Sequence, residues 1–257
     1  MLRYTVSILL AGLLPAAVAA ATTAAEENPW KSETFLSDYS LLKPVPAERG
    51  QDFVYGAPGV EEGLARFDSV MVDQPEISFS PASPYKSAKP DDLKAIAEFL
   101  RKTIAERLES RGFKIVEQKG ESVLYLRVAL TDLQLKKKRR GVLSYTPVGA
   151  VVHEVKAAVQ NVMKEVDIID LAGQAEIAAS QTGEVLGAMV TRRGAVADTA
   201  GTAKIERMTF DEFRGYVENA SDRLACRINN ARRPPDRRVD CGDPAARAAA
   251  LGGSPGT

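Results

Sequence analysis

Apolar and polar positions change period several times along the chain, and each change marks an element. Ser69–Val72 and Glu76–Phe79 are short strand-like runs separated at Pro75, and the three prolines between Ser80 and Pro90 make that stretch a loop. From Asp91 to Arg111, Leu93, Ile96, Leu100, Ile104 and Leu108 recur at spacings of three and four. They form one face of a helix, with Gly112 as its stop. Phe113–Glu117 and Ser122–Leu135 then read as two strands around a Lys119-Gly120 turn. In the second, Leu124, Leu126, Val128 and Leu130 alternate with Tyr125, Arg127 and Ala129, so one face is buried.

Val148 to Met163 carries a valine stripe at helical spacing, although β-branched residues disfavour helix. Such a stripe belongs to the core, or, if it faces outward, to a membrane interface or the groove of a partner. Val166 to Val190 holds two strands meeting at Gln181-Thr182-Gly183, a turn with glycine available for positive φ. Thr209 and Glu212 make a capping box for a last helix, with Phe213, Val217, Ala220, Leu224 and Ile228 along one face. Hairpins join some strands and helices join others. The fold class is therefore α+β, a mainly antiparallel sheet with two or three helices packed on one side.

The N-terminus has a different pattern. A basic start at Arg3, an apolar stretch from Val6 to Val18 and small residues at Ala17, Ala19 and Ala20 predict a cleavable signal peptide over residues 1–20. That stretch is too short to be a permanent span, and no later segment approaches the ~20 apolar residues a transmembrane helix needs. Residues 21–34, rich in Ala, Thr and Glu, are expected to be a flexible tether, 35–242 a single α+β domain, and 243–257 a disordered tail.

Composition changes this picture little. The 257 residues are 45% hydrophobic and 26% charged, with 34 basic residues balancing 34 acidic ones. A neutral chain has no general pull toward nucleic acid, so no nucleic-acid partner is expected. Cysteine placement says more. Cys226 and Cys241 are the only cysteines, so none follows the leader to carry a lipid. In an exported chain, two cysteines about fifteen residues apart predict a disulfide worth about 3 kcal/mol. Two free thiols or a metal pair are the alternatives, and the metal pair lacks further ligands.

Phe35-Leu36-Ser37-Asp38-Tyr39-Ser40-Leu41, then Ala65-Arg66-Phe67-Asp68-Ser69-Val70-Met71-Val72-Asp73, and the Thr182-Gly183-Glu184-Val185-Leu186 hairpin carry a resemblance. With the element order above, the chain resembles the bacterial family of domain of unknown function 3313 (DUF3313), envelope lipoproteins, over roughly Phe35 to Ile228. The resemblance implies a periplasmic-side envelope protein of a Gram-negative bacterium. It implies no activity, so no catalytic residues carry over. The missing cysteine departs from the lipoprotein pattern and predicts a soluble periplasmic protein, at most peripheral to the outer membrane.

Candidate chemistry is sparse. His153 is the single histidine, so any Ser-His-Asp triad or Cys-His dyad would have to use it, and no G-x-S-x-G accompanies it. No H-E-x-x-H, C-x-x-C, acidic calcium loop or phosphate-binding glycine motif is present, so neither a metal nor a cofactor is expected. Asp91-Asp92 suits a helix N-terminus, while Asp167 with Asp170 could in principle form an acid pair. The basic run Lys136, Lys137, Lys138, Arg139 and Arg140, with a second cluster at Arg232, Arg233, Arg237 and Arg238, could meet an anionic surface. The sequence therefore points to a non-enzymatic accessory or binding module acting on an envelope protein or membrane surface. Peripheral membrane attachment and a carboxylate-only hydrolase are the alternatives.

Overall fold

The long alternating run predicted around Leu124–Leu130 forms the central strand of the sheet. The structure is a computed structural model that describes residues 34–46, 51–85, 88–138, 159–160, 166–192 and 208–252, all within one compact unit, Ser32–Thr257. The leader, the tether up to residue 33, His153 and most of 148–163 lie outside the described residues. From that last segment Val159 is described, and it is buried in the core.

Among the described residues, eight strands form one open sheet: β1 (Lys43–Pro46), β2 (Gln51–Gly56), β3 (Ser69–Val72), β4 (Glu76–Phe79), β5 (Lys114–Ile115), β6 (Val123–Lys137), β7 (Val166–Ala179) and β8 (Val185–Arg192). Their order is β1-β2-β8-β7-β6-β3-β5, with β4 also on β6. The β1-β2, β2-β8, β8-β7 and β7-β6 pairs are antiparallel, while β3 and β4 follow one another along β6 in parallel. The helices among the described residues are α1 (Val60–Leu64), α2 (Pro90–Glu109), α3 (Phe210–Ala231) and α4 (Pro244–Gly252), with one 3-10 turn at Pro235–Arg237.

Local chemistry explains the long elements. Leu124, Leu126, Val128 and Leu130 of β6 are all buried, as their alternation predicts. They meet the apolar faces of α2 and α3, where Ile96, Leu100, Ile104 and Leu108 face Phe213, Val217, Leu224 and Ile228 in one core. Each such side chain contributes about 1.5–3 kcal/mol through burial. The capping box is present: Glu212 N–H donates to Thr209 Oγ1 at 3.3 Å, and Thr209 N–H to Glu212 Oε2 at 2.6 Å. Gly112 and Gly183 take φ of 82° and 74°, the left-handed conformations required at the helix stop and the hairpin turn. The fold is the expected α+β class.

Two expectations are corrected. Phe113–Glu117 and Ser122–Leu135 are not hairpin partners, because β3 lies between them and β5 pairs with Ser69 and Val70. The edge of β6 is already occupied by β3 and β4. The intervening turn is held instead by Ser180, whose hydroxyl accepts from Gly120 N–H at 3.1 Å and donates to Gly120 O at 2.9 Å. The tail is also not disordered throughout, since Pro244–Gly252 is helix α4. Its Arg247 is buried, with Nε donating to Asp222 Oδ2 at 2.7 Å and Nη1 to Cys241 O at 2.9 Å. Buried ion pairing fixes a segment whose own composition gives no periodicity.

Candidate binding site

Through Arg223 and Arg227 the C-terminal half of α3 reaches β2 and β8, and where those strands pair they carry small residues. Gly56 stands opposite Gly187 and Tyr55 opposite Ala188. A Cβ on Gly187 would lie 3.0 Å from the Tyr55 carbonyl oxygen, a tight fit that favours glycine there. The two glycines leave this part of the sheet without side chains to fill the space under the helix. The gap is a cavity of about 290 Å³, walled by Val54, Val60, Leu64, Ile177, Met189, Leu224 and Ile228 among others. That volume is near the lower end, ~300 Å³, of small-molecule sites.

One cation borders this apolar space. Arg227, one helical turn from Arg223 on α3, places Nη1 2.6 Å from Asp52 Oδ2 and 2.8 Å from Met189 Sδ. Arg223 holds the same carboxylate with both arms, Nε to Oδ2 at 2.8 Å and Nη2 to Oδ1 at 3.2 Å, and reaches Thr191 Oγ1 at 2.8 Å. Asp52 is fully buried. Two guanidiniums on one carboxylate leave the cluster one positive charge in excess. The Nε and Nη2 groups of Arg227 donate to none of the described residues.

Arg227 also lines a second cavity, of about 310 Å³, together with Val60 and Ala231, which border both spaces. Asn230, Arg238, Asp240 and Cys241 complete its more polar wall. The Cys226–Cys241 disulfide, with Cα atoms 5.8 Å apart, ties this wall to α3. Asn230 binds it further, donating to Val239 O at 2.6 Å and accepting from Val239 N–H at 3.2 Å. An apolar chamber thus borders a second one, apolar in part but with more polar groups, at an arginine.

Other ionisable groups are structural in their surroundings. Burial alone would raise the Asp222 carboxyl, but hydrogen bonds from Arg111 and Arg247, each at 2.7 Å, outweigh it and hold the group below its ordinary range. Burial pushes the Tyr216 phenol well up, and its hydroxyl donates to Thr191 O at 3.0 Å. On the opposite face of the sheet, Tyr125 is raised to about 12, first by burial and then by its hydrogen bond to Asp73.

The residues singled out in sequence fall in separate places. Asp91 and Asp92 occupy the first turn of α2. Asp167 faces Lys138 at 3.4 Å, and Asp170 faces Arg192 at 3.4 Å, a guanidinium it shares with Asp132, so the two carboxylates pair with different cations. Lys136 and Lys137 are exposed at the end of β6, while Arg139 and Arg140 lie outside the described residues. Arg232 stacks on the Phe113 ring at 4.5 Å, Arg233 O accepts from Arg238 Nε at 3.2 Å, and Arg237 belongs to the 3-10 turn. Of the second cluster, Arg238 reaches the second cavity. Asp52, Arg223 and Arg227 were not foreseen. A lone acid in Gln51-Asp52-Phe53-Val54-Tyr55 was the available signal, because a charge inside an apolar run needs a buried partner.

Among the described residues, no group of three or more His, Cys, Asp and Glu side chains could hold a metal ion, and no helix is long and apolar enough to cross a membrane. The model of the family described as "Protein of unknown function (DUF3313)" matches residues 31–224. No curated protein matches. Among solved structures, the PelC dodecamer from Paraburkholderia phytofirmans is similar at 14% identity and a TM-score of 0.29, over 55% of this chain and 79% of that one. A Xanthomonas campestris protein of family DUF330 is similar at 14% identity and a TM-score of 0.27, over 61% and 81%.

Proposed function

We propose, for a chain that belongs to the DUF3313 family of proteins of unknown function, a non-enzymatic binding module of the bacterial cell envelope that holds an apolar group between α3 and the β2-β8 pair. The observation that carries this reading is the cavity itself. Apolar side chains line it, glycines at Gly56 and Gly187 leave its floor without side chains, and a buried ion-paired cluster borders its side. Binding needs nothing more than these features.

Export supports the envelope assignment from the sequence side. The basic, apolar and small-residue regions of the leader are those of a secretory signal, and a disulfide persists in an oxidising compartment. Without a cysteine after the leader, the mature protein is released into the periplasm. Fractionation of cells carrying the full-length chain tests this: the protein is recovered in the periplasmic fraction with its N-terminus just beyond Ala19 or Ala20. Intact precursor in the cytoplasm contradicts it.

Binding has its own test. Ala231, half-buried in the last turn of α3, borders both cavities. The Ala231→Trp variant fills the space and abolishes binding of the neutral fluorophore N-phenyl-1-naphthylamine, with a melting temperature close to wild type. Equal binding by wild type and variant contradicts the cavity as the site.

A further inference from the structure

We infer that the group held in the cavity is the chain of a single-chain amphiphile whose head is anionic, with the head at Arg227 in the second chamber; this rests on the binding reading above. The chamber under α3 is apolar along its walls, and its one charged lining group is Arg227. The same arginine stands in the second chamber, where Asn230, Arg238 and Asp240 add polar groups to a wall that also carries Val45, Pro46 and Val239. A ligand reaching from the first chamber to Arg227 thus meets apolar side chains along its length and charged groups at one end.

Charge favours one sign of head. Among the described residues, Asp52 is shared by two guanidiniums, those of Arg223 and Arg227, while Arg238 and Asp240 in the second wall carry one charge of each sign. Asp52 holds Arg227 through Nη1 only, which orients Nε and Nη2 without using them. A carboxylate or phosphate oxygen is the acceptor such donors fit, forming charge-assisted bonds in partly dry surroundings. A cationic head would be repelled, and a neutral hydroxyl would leave the extra charge unmatched. The apolar chamber's volume of about 290 Å³ suits one chain rather than two.

Competition for N-phenyl-1-naphthylamine bound to the intact mature protein tests the inference with decanoate, decyl phosphate and decanol. The two anions displace the dye at concentrations about tenfold or more below decanol, the difference expected of a hydrogen bond to a charged group. Whichever anion is stronger identifies the head as carboxylate or phosphate. In Arg227→Met the advantage of both anions over decanol is lost, and its persistence overturns the inference. Decanol matching both anions on the wild-type protein overturns the anionic head and leaves the apolar site standing. No saturable dye binding at all overturns the binding reading itself. The comparison on wild type decides the matter even if the variant fails to fold.

Discussion

Asp222 is a carboxylate between two buried guanidiniums, Arg111 on one oxygen and Arg247 on the other. Removing it takes a carboxylate partner from each of two buried cations, a loss of about 3–5 kcal/mol. Asp222→Ala is therefore expected to lower the urea midpoint sharply, and an unchanged midpoint would contradict the pairing. The pH dependence has a definite sign. A carboxyl held below its ordinary pKa of ~3.9 stabilises the fold above that value, and the stabilisation is lost as pH falls through the lower folded value. The gap in urea midpoint between wild type and Asp222→Asn should thus narrow from pH 7 to pH 3. A gap independent of pH would show that titration of Asp222 does not contribute.

At the scale of elements, the disulfide connects α3 to the segment that carries Arg238, Asp240 and α4. Closing a loop of 15 residues stabilises by about 3 kcal/mol. Reduction, or the Cys226→Ser/Cys241→Ser pair, should lower stability by about that amount and loosen the polar wall, read by denaturation and by hydrogen exchange over residues 239–247. Undiminished protection there would contradict the staple. The long elements were legible because period carries them: α2, α3 and β6 lie where the spacing of leucine, isoleucine and phenylalanine places them. β1 and β2 were not, since two prolines in Lys43–Pro46 and a charged residue in β2 obscure the alternation. Nor was the order of β3, β5 and β6. Sequence adjacency favours a hairpin, whereas the paired backbone of β3 and β4 already fills the edge of β6.

At the scale of the molecule, α2 and α3 cover one face of the sheet, and Phe35-Leu36-Ser37-Asp38-Tyr39-Ser40-Leu41 lies against the other. The Tyr39 hydroxyl donates to Gln174 Oε1 at 2.6 Å, Ser37 N–H donates to Glu176 Oε2 at 2.7 Å, and Phe35 stacks under Arg127 at 4.7 Å. The motif that carried the family resemblance is thus a cover for two buried polar side chains of β7. The binding site was less legible than the fold. Asp52 and Arg223 are 171 residues apart in sequence, and no local pattern announces a pair that forms only when β2 enters the sheet beside β8. The cavity depends on residues that are small, and an absent side chain leaves little trace in a hydrophobic pattern.

The central claim is that this gap is a ligand chamber. Methyl-labelled mature protein titrated with decanoate and followed by NMR tests it most directly. Saturable shifts at Leu64, Ile177, Leu186, Met189, Leu224 and Ile228, with Leu108 and Leu133 unmoved, are the predicted result. Shifts absent from those six, or spread evenly over the core, would contradict it.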